Sequence, residues 1–520
     1  MRDRCEVLEW AASGAMALTG LPEGTPVASP APVLAMLAQV SAEFARVTAM
    51  TGNEVRADPA ELLAGRAALA GFTRGGRVSA GGSSFLLHAA DGWCAVTLSR
   101  PDDVAAVPAI VGVLGAEGAA RPAITTRAEA RSALTVAARG ATAADFAAAA
   151  QLLGVPASAL PVGARPPGVA GAALAGASPT GVKGASPAGV KGAPQAGVVE
   201  APLAGRAGWP PWRATRIAER LAGAGLARAG LAGAVVADLS SMWAGPLCAR
   251  LLGLAGATVI KVESPARPDG ARSGNREFFD WLHAGHRSLS VDFATEAGRT
   301  VLTSLLEVAD VVIESSRPRA LAALGAAPGM ISHPPGQVWL SITGYGRSTP
   351  ERVAFGDDAA VAGGLVGWPA DDWAGGEGTG SEGVGREGAG PVFCADAIAD
   401  PLAGACGALA VALSRSAGGG ELIDLPMRDV AAAFAAAAPD HGAPDHGAAD
   451  HGAADHGTSD HGPHEILPGG RVLCPRSHRE QAVLAPRRPA SPAGPARRAA
   501  ELGADTSAVL AWLAGQRAAC

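Results

Sequence analysis

Between Leu231 and Glu263 the chain reads LAGAVVADLSSMWAGPLCARLLGLAGATVIKVE, and its apolar pattern changes period twice. Val235–Leu239 is a short, largely apolar run, as a buried strand requires. Ala244-Gly245-Pro246 opens a helix, with Pro near the first helical position, where a missing N–H costs nothing. Leu247, Leu251, Leu252 and Leu254 fall roughly on one side of it, and Gly256 stops it. Val259–Glu263 is the next strand. The pattern predicts one βαβ unit. Parallel sheets place ligands at the carboxyl ends of their strands, so the loop Ser240–Gly245 is the first candidate for chemistry.

The alternation continues downstream. Glu277–Leu282 suits a helix, and Arg287–Phe293 alternates like a strand. Thr295–Val308 is an amphipathic helix with Val301, Leu302, Leu305 and Leu306 inward. Asp310–Glu314 and Val338–Ile342 read as strands around a short helix, Arg319–Leu324. A helix over Ala399–Ser416 and a strand over Glu421–Leu425 complete the series. Strand alternating with helix over 211–432 predicts an α/β fold with a doubly wound parallel sheet. Upstream, residues 1–160 carry helical spacing over Pro32–Met50, Glu61–Ala70, Asp102–Val113 and Ala141–Leu153. Ser84–His88 and Cys94–Leu98 form a β-hairpin about Asp91-Gly92. Residues 161–210 are rich in Gly and Pro and read as a linker, 371–390 as a Gly-rich loop. Residues 466–520 are a tail ending in a short helix within Arg498–Ala514.

A chain of 520 residues predicts two or three domains. Charged residues make up 17 % and the net charge is −6, with no basic stripe, which argues against a nucleic-acid partner. No apolar run suits a membrane span, and MRDRCEVLEW has no secretion segment, so a cytoplasmic location is expected. The seven cysteines are scattered without a CxxC pair and read as buried thiols, with no metal expected. Asp-His-Gly recurs five times from Asp440 to Asp460, at a period of five, within 433–465. Asp and His bind transition metals, but this period fits no helix or strand face, and the stretch reads as a low-complexity loop.

Five stretches resemble a known family: VVADLSSMWAGPLCARLLGLAGATVIKVE (235–263), GHRSLSVDF (285–293), ADVVIESSRPRALAALG (309–325), WLSITGYGR (339–347) and DAIADPLAGACGALAVAL (396–413). Their order and spacing are similar to those of the family III CoA-transferases, a group that includes α-methylacyl-CoA racemase. The resemblance implies a doubly wound CoA-binding domain with a smaller α+β domain, in an interlocked homodimer. It implies CoA moving between an acyl-CoA thioester and a small carboxylic acid through aspartyl anhydride and aspartyl-CoA intermediates. Neither a permanently bound cofactor nor a metal is implied, since coenzyme A enters as the thioester substrate. The family's nucleophile is an Asp at the start of a helix; Ala399-Asp400-Pro401-Leu402-Ala403-Gly404 fits, with Asp396 as the rival. Asp400 before Pro401 is also a good helix N-cap, a role compatible with the first.

The same resemblance makes Arg272, His286, Arg287, Arg317 and Tyr345 the candidate CoA contacts. It makes Trp243, Ala244 and Gly245 one wall of the substrate pocket. At Gly285-His286-Arg287-Ser288 the family often has Asn-Lys-Arg-Ser, so a Lys is replaced by His286. Phe355-Gly356-Asp357-Asp358 stands where the racemase branch has Gly-His-Asp, which disfavours racemisation; Asp357-Asp358 also reads as a helix cap. Residues 13–27 and the Asp91-Gly92-Trp93 turn resemble later parts of the family pattern, as if the chain began midway through one copy. Near Ala35-Met36, where that copy's nucleophile belongs, there is no Asp. This half is therefore expected to supply the small domain and walls of the site, with Gly81-Gly82 as a glycine loop. Two other readings stand beside transfer: a racemase-like isomerase and a catalytically inactive CoA-binding subunit.

Overall fold

The computed structural model describes residues 5–50, 53–115, 124–164, 208–222, 229–369, 390–436, 464–467, 470–474, 477–490 and 498–519. Most of the linker expected at 161–210, most of the Gly-rich loop at 371–390 and all the Asp-His-Gly repeats lie outside the described residues.

The chain opens with α1 (Glu6–Ala12), α2 (Val33–Met50) and α3 (Pro59–Ala70). Asp58 caps α3 by accepting the Ala60 N–H at 2.9 Å, with Pro59 in the first turn. The hairpin β1 (Ser84–His88) and β2 (Trp93–Thr97) follows, then α4 (Pro101–Ala105), α5 (Val107–Val113), α6 (Arg127–Arg139), α7 (Ala143–Leu152) and β3 (Ala157–Ala159). β3 pairs with the far edge of β2. The one helix expected over 102–113 is two, because Pro108 lacks the N–H that would bond back across Ala106. α6 was not expected, since its apolar positions are mostly alanine. Its signal is the capping box, in which Thr126 Oγ1 accepts the Glu129 N–H and Glu129 accepts the Thr126 N–H.

After β4 (Arg213–Arg216) comes the regular part: β5 (Val235–Asp238), α8 (Ala244–Leu254), β6 (Thr258–Glu263), α9 (Arg276–His283), β7 (Arg287–Ser290), α10 (Glu296–Val308), β8 (Val311–Glu314), α11 (Pro318–Ala323) and β9 (Val338–Thr343). It continues through α12 (Gly356–Ala362), the short strands β10 (Val366–Gly367) and β11 (Val392–Phe393), α13 (Ala399–Ser416), β12 (Glu421–Pro426) and α14 (Met427–Ala435). A small antiparallel sheet of β13 (Glu465–Leu467), β14 (Arg471–Cys474) and β15 (Arg479–Ala482) precedes α15 (Thr506–Ala519).

Seven strands form one sheet in the order β4-β12-β9-β8-β5-β6-β7, parallel throughout except where β4 joins the β12 edge. The chain winds from β5 outward through β6 and β7, then returns to β8, β9 and β12. The switch in direction lies between β5 and β8, so the loop after β5 opens into the crevice where doubly wound sheets bind ligands. Alternate strand residues feed two cores. Val236, Ile313 and Leu340 face α8 and α13, while Ala237, Val312 and Trp339 face α10 and α15. On α8, Leu247, Leu251 and Leu252 are buried as expected, but Leu254 at its end is 53 % exposed.

The division expected at residue 160 runs differently. Trp10, Phe44 and Leu63 of the first three helices share the core of Leu340 and Leu402. α2 is long and apolar enough to cross a membrane, but it buries its apolar face on α13. Residues 85–157 have a separate core of Phe85, Leu87, Val96, Leu134 and Phe146.

A buried charge cluster fixes the loop after β6. Lys261 Nζ lies 2.9 Å from Asp269 Oδ2 and 3.7 Å from Asp238 Oδ2, with all three side chains at most 2 % exposed. Glu263 accepts the Asp269 N–H at 2.9 Å and pairs with Arg272 at 2.6 Å. Lys261→Met would leave two carboxyls buried without their cation. It is expected to destabilise the fold by about 3–5 kcal/mol in denaturant unfolding.

Candidate functional site

Three helix starts converge on one carboxyl group. Asp400 is the second residue of α13 and is partly buried, its carboxyl facing a cavity. It was expected as the N-cap, but Ile398 holds that place and the Asp400 N–H bonds to Ala397 O at 2.9 Å. The turn before it is sharp: Ala395 and Ala397 adopt φ of 55° and 41°, the left-handed region that costs a residue with a Cβ. The Ala244 N–H at the start of α8 favours the Asp400 carboxylate, opposing the effect of burial. Gly356, first residue of α12, lies so close that a Cβ there would sit 2.9 Å from Asp400 Cγ.

Asp400 is one of four acids from two short segments, and the other three are buried. Asp357 accepts from Ser84 Oγ at 2.8 Å and from the Ala397 N–H at 3.1 Å. Asp358 accepts from Thr97 Oγ1 and, as a helix cap, from the Phe355 N–H, both at 2.9 Å. Asp396 accepts from Arg66 Nη1 at 2.9 Å. Burial raises all four above the ordinary carboxylate range: Asp396 to about 6, Asp400 to about 7 and Asp358 to about 8. At Asp400 desolvation is the main cause, opposed by the Arg66 charge and reinforced by Asp357 and Asp396. Arg66 comes from α3 and lies against three rings, 5.0 Å from Trp243, 5.3 Å from Phe72 and 5.7 Å from Phe278.

These groups border a cavity of about 220 Å³. Its apolar wall is Phe72, Met242, Trp243, Phe278 and Phe355, and its polar wall is Ser83, Ser84, Thr97 and Ser99 of the hairpin region. Gly81, Gly270 and Asn275 also border it, and Arg66, Asp357 and Asp400 complete it. The N-terminal half and the sheet domain thus share one site.

Of the residues singled out in the sequence, Asp400, Trp243, Asp357 and Gly81 border this cavity. Ala244 supplies the N–H described above, and Gly245 packs behind it against Ser240, where a Cβ would not fit. The candidate CoA contacts are elsewhere. Arg272 is engaged by Glu263 and the Ala500 carbonyl. His286 is buried and uncharged at neutral pH, its pKa lowered to about 3 by desolvation and by the Lys261 and Arg250 charges. Arg287 is exposed at the start of β7. Arg317 donates to Gly154 O at 3.2 Å. Tyr345 is buried, its hydroxyl donating to Ala157 O at 3.3 Å, with Arg352 stacked 4.0 Å from its ring centre. Asp396 lies behind Asp400, paired with Arg66. Sequence reasoning missed Arg66, Phe72 and Phe278. Arg66 lies more than 300 residues from Asp400, and no spacing rule connects them.

Residues 231–484 match the family described as CoA-transferase family III. A succinyl-CoA–D-citramalate CoA-transferase from Chloroflexus aurantiacus is 30 % identical over 140 residues, 25 % of this chain and 35 % of that protein. A succinyl-CoA:glutarate CoA-transferase from Homo sapiens is 31 % identical over 146 residues, 26 % of this chain and 33 % of that protein. Among solved structures, a CAIB/BAIF family protein from Brucella suis is 29 % identical with a TM-score of 0.31, covering 39 % of this chain and 54 % of that one. The chain spans about a third of the length of the curated relatives it matches.

Gly356 is required by contact. Gly356→Ala is expected to lower stability by about 1–3 kcal/mol through overpacking against Asp400. Gly81→Ala, whose Cβ would meet Arg66 Nη2 at 3.4 Å and Phe72 Cε2 at 3.9 Å, both ordinary contacts, is expected to change it by less than about 0.5 kcal/mol. Urea unfolding of the two variants side by side checks this.

Proposed function

We propose, from the match of residues 231–484 to CoA-transferase family III, that the chain moves CoA from an acyl-CoA thioester to a small carboxylic acid, with Asp400 as nucleophile. One observation carries the assignment to Asp400. It borders the cavity at the start of α13 with its pKa raised to about 7, so burial makes it more basic than a solvated carboxylate while much of it is still ionised at neutral pH. The Chloroflexus and human relatives are named for succinyl-CoA with D-citramalate and glutarate; the acid used by this chain is taken to be small because the cavity is small.

The steps follow from the chemistry of a carboxylate facing a thioester. An Asp400 oxygen attacks the thioester carbonyl, a C–O bond forms, the C–S bond breaks, and CoA leaves as its thiolate. The product is a mixed anhydride on Asp400. The thiolate attacks the Asp400 carbonyl carbon, forming a C–S bond and expelling the donor acid as its carboxylate. The acceptor carboxylate attacks the aspartyl-CoA thioester and releases the thiolate, which then takes the new acyl group and frees Asp400. The Ala244 N–H is placed to stabilise negative charge on the Asp400 carboxyl oxygens in each step. Arg66 keeps part of the Asp400 population ionised, and Trp243 and Phe278 restrict the water that would hydrolyse an anhydride. The reading takes the protein to be cytoplasmic, where CoA thioesters are available, and a homodimer.

A proton-moving isomerase is the second reading, supported by Asp357 sharing the cavity with Asp400. Hydroxylamine separates the two, since only transfer passes through an activated aspartyl carbonyl. Asp400→Ala is expected to abolish transfer while CoA binding persists, and wild-type turnover with hydroxylamine should leave a hydroxamate on Asp400 by mass spectrometry. Turnover by Asp400→Ala at the wild-type rate would reject the assignment.

A second measurement concerns pH. The rate of wild-type transfer is expected to rise through pH about 7 as Asp400 ionises. Removing the Arg66 charge disfavours the carboxylate and raises the Asp400 pKa further. Arg66→Gln should therefore move the rising limb to higher pH, with the largest loss near neutrality and recovery in alkali. An equal loss at every pH would assign Arg66 to packing alone.

A further inference from the structure

The start of the chain is held against its C-terminal part at a place remote from Asp400. α1 packs on β14 and β15, and Leu484 N–H donates to Ala11 O at 2.9 Å. At this junction Cys5, His464 and Cys474 converge. Cys5 precedes α1, His464 precedes β13, and Cys474 ends β14. Cys5 Sγ lies 3.0 Å from His464 Nε2, and the three ligand atoms lie within 4.8 Å of one another. Cys5 and Cys474 are at most 3 % exposed and His464 is half-buried. Among the described residues no other three His, Cys, Asp or Glu side chains come together in this way.

We propose that Cys5, His464 and Cys474 form a zinc site that ties the N-terminal helix to the C-terminal sheet. Thiolate and imidazole are the ligands that zinc prefers, and two sulfurs with one nitrogen make three of the four tetrahedral positions. Zinc bonds of about 2.3 Å to sulfur and about 2.0–2.1 Å to nitrogen place ligand atoms about 3.5–3.8 Å apart. The present separations, 3.0 Å from Cys5 Sγ to His464 Nε2 and none above 4.8 Å, bracket that spacing. Charge favours the same ion. On binding, each thiol loses its proton to solvent, two Zn–S bonds and one Zn–N bond form, and the dication is neutralised by two thiolates. A neutral complex suits a buried position. Because Cys5 is 459 residues from His464, the site has no local motif and could not be read from cysteine spacing.

The test uses the full chain, reduced, stripped with chelator and titrated anaerobically with Co²⁺ and then Zn²⁺. One equivalent of Co²⁺ should give tetrahedral d–d absorption with a thiolate-to-cobalt charge-transfer band, removed by one equivalent of Zn²⁺. The histidines of the Asp-His-Gly repeats carry no sulfur and cannot produce that band. Cys5→Ser and Cys474→Ser should each weaken Co²⁺ binding by more than about tenfold and diminish the band. Cys94→Ser, in the separate hairpin core, should not. Circular dichroism confirms that each variant is folded. Absence of the band in wild-type protein with excess Co²⁺ overturns the proposal. An undiminished band in both variants, or a Cys5–Cys474 disulfide in protein alkylated directly from cells, does the same.

Discussion

A carboxyl group largely surrounded by protein is driven toward its neutral form unless positive charge or N–H dipoles compensate it. Asp400 depends on both, and each comes from a different part of the chain. The dipole is the Ala244 N–H at the start of α8, where a helix leaves its first N–H groups without intrahelical partners. The charge is Arg66, from α3 of the N-terminal half. The same guanidinium binds Asp396 and lies against Trp243, Phe72 and Phe278, so one side chain holds together the acid cluster and the aromatic wall. Asp400 is therefore a property of the whole assembly rather than of its helix.

The fold makes this junction by placing the first three helices in the core of the parallel sheet. α13 is covered by α8 on one side and α2 on another, so its alanine- and glycine-rich surface is buried along nearly its whole length. Gly404 and Gly407 allow that closeness: Cβ atoms there would meet Leu247 and Leu340 at 3.0 Å. The rigid packing at this helix is what keeps the Asp400 turn, with its two left-handed alanines, in place.

Regular structure was largely legible in the sequence, because burial on one or both faces leaves a period in the residues themselves. Val235–Asp238, Val311–Glu314 and Val338–Thr343 are apolar runs bounded by turn formers, and all three are central strands. What escaped was structure with other causes. α6 is held by its cap more than by apolar residues. The break at Ala106 is due to a single Pro. β13–β15 form a small sheet in which Val472 and Cys474 are buried among mostly polar neighbours, too little apolar patterning to read as strands. In the site, the Asp of α13 and the Trp of the β5 loop stood out because a motif carried them. Arg66 had no motif, and its position follows from tertiary packing alone. The candidate basic residues at strand ends show the converse: Arg272 is taken up by Glu263, Arg317 by a carbonyl and His286 by burial.

Ser84 and Thr97 stand opposite each other across β1 and β2, their hydroxyls 3.0 Å apart, and each donates to one acid of α12. Separating the hairpin from α12 would deprive two buried carboxyls of a donor, at about 1–3 kcal/mol for each. Hairpin and α12 are therefore tied into one unit, and through Ser84 the polar wall of the cavity is held against Asp357.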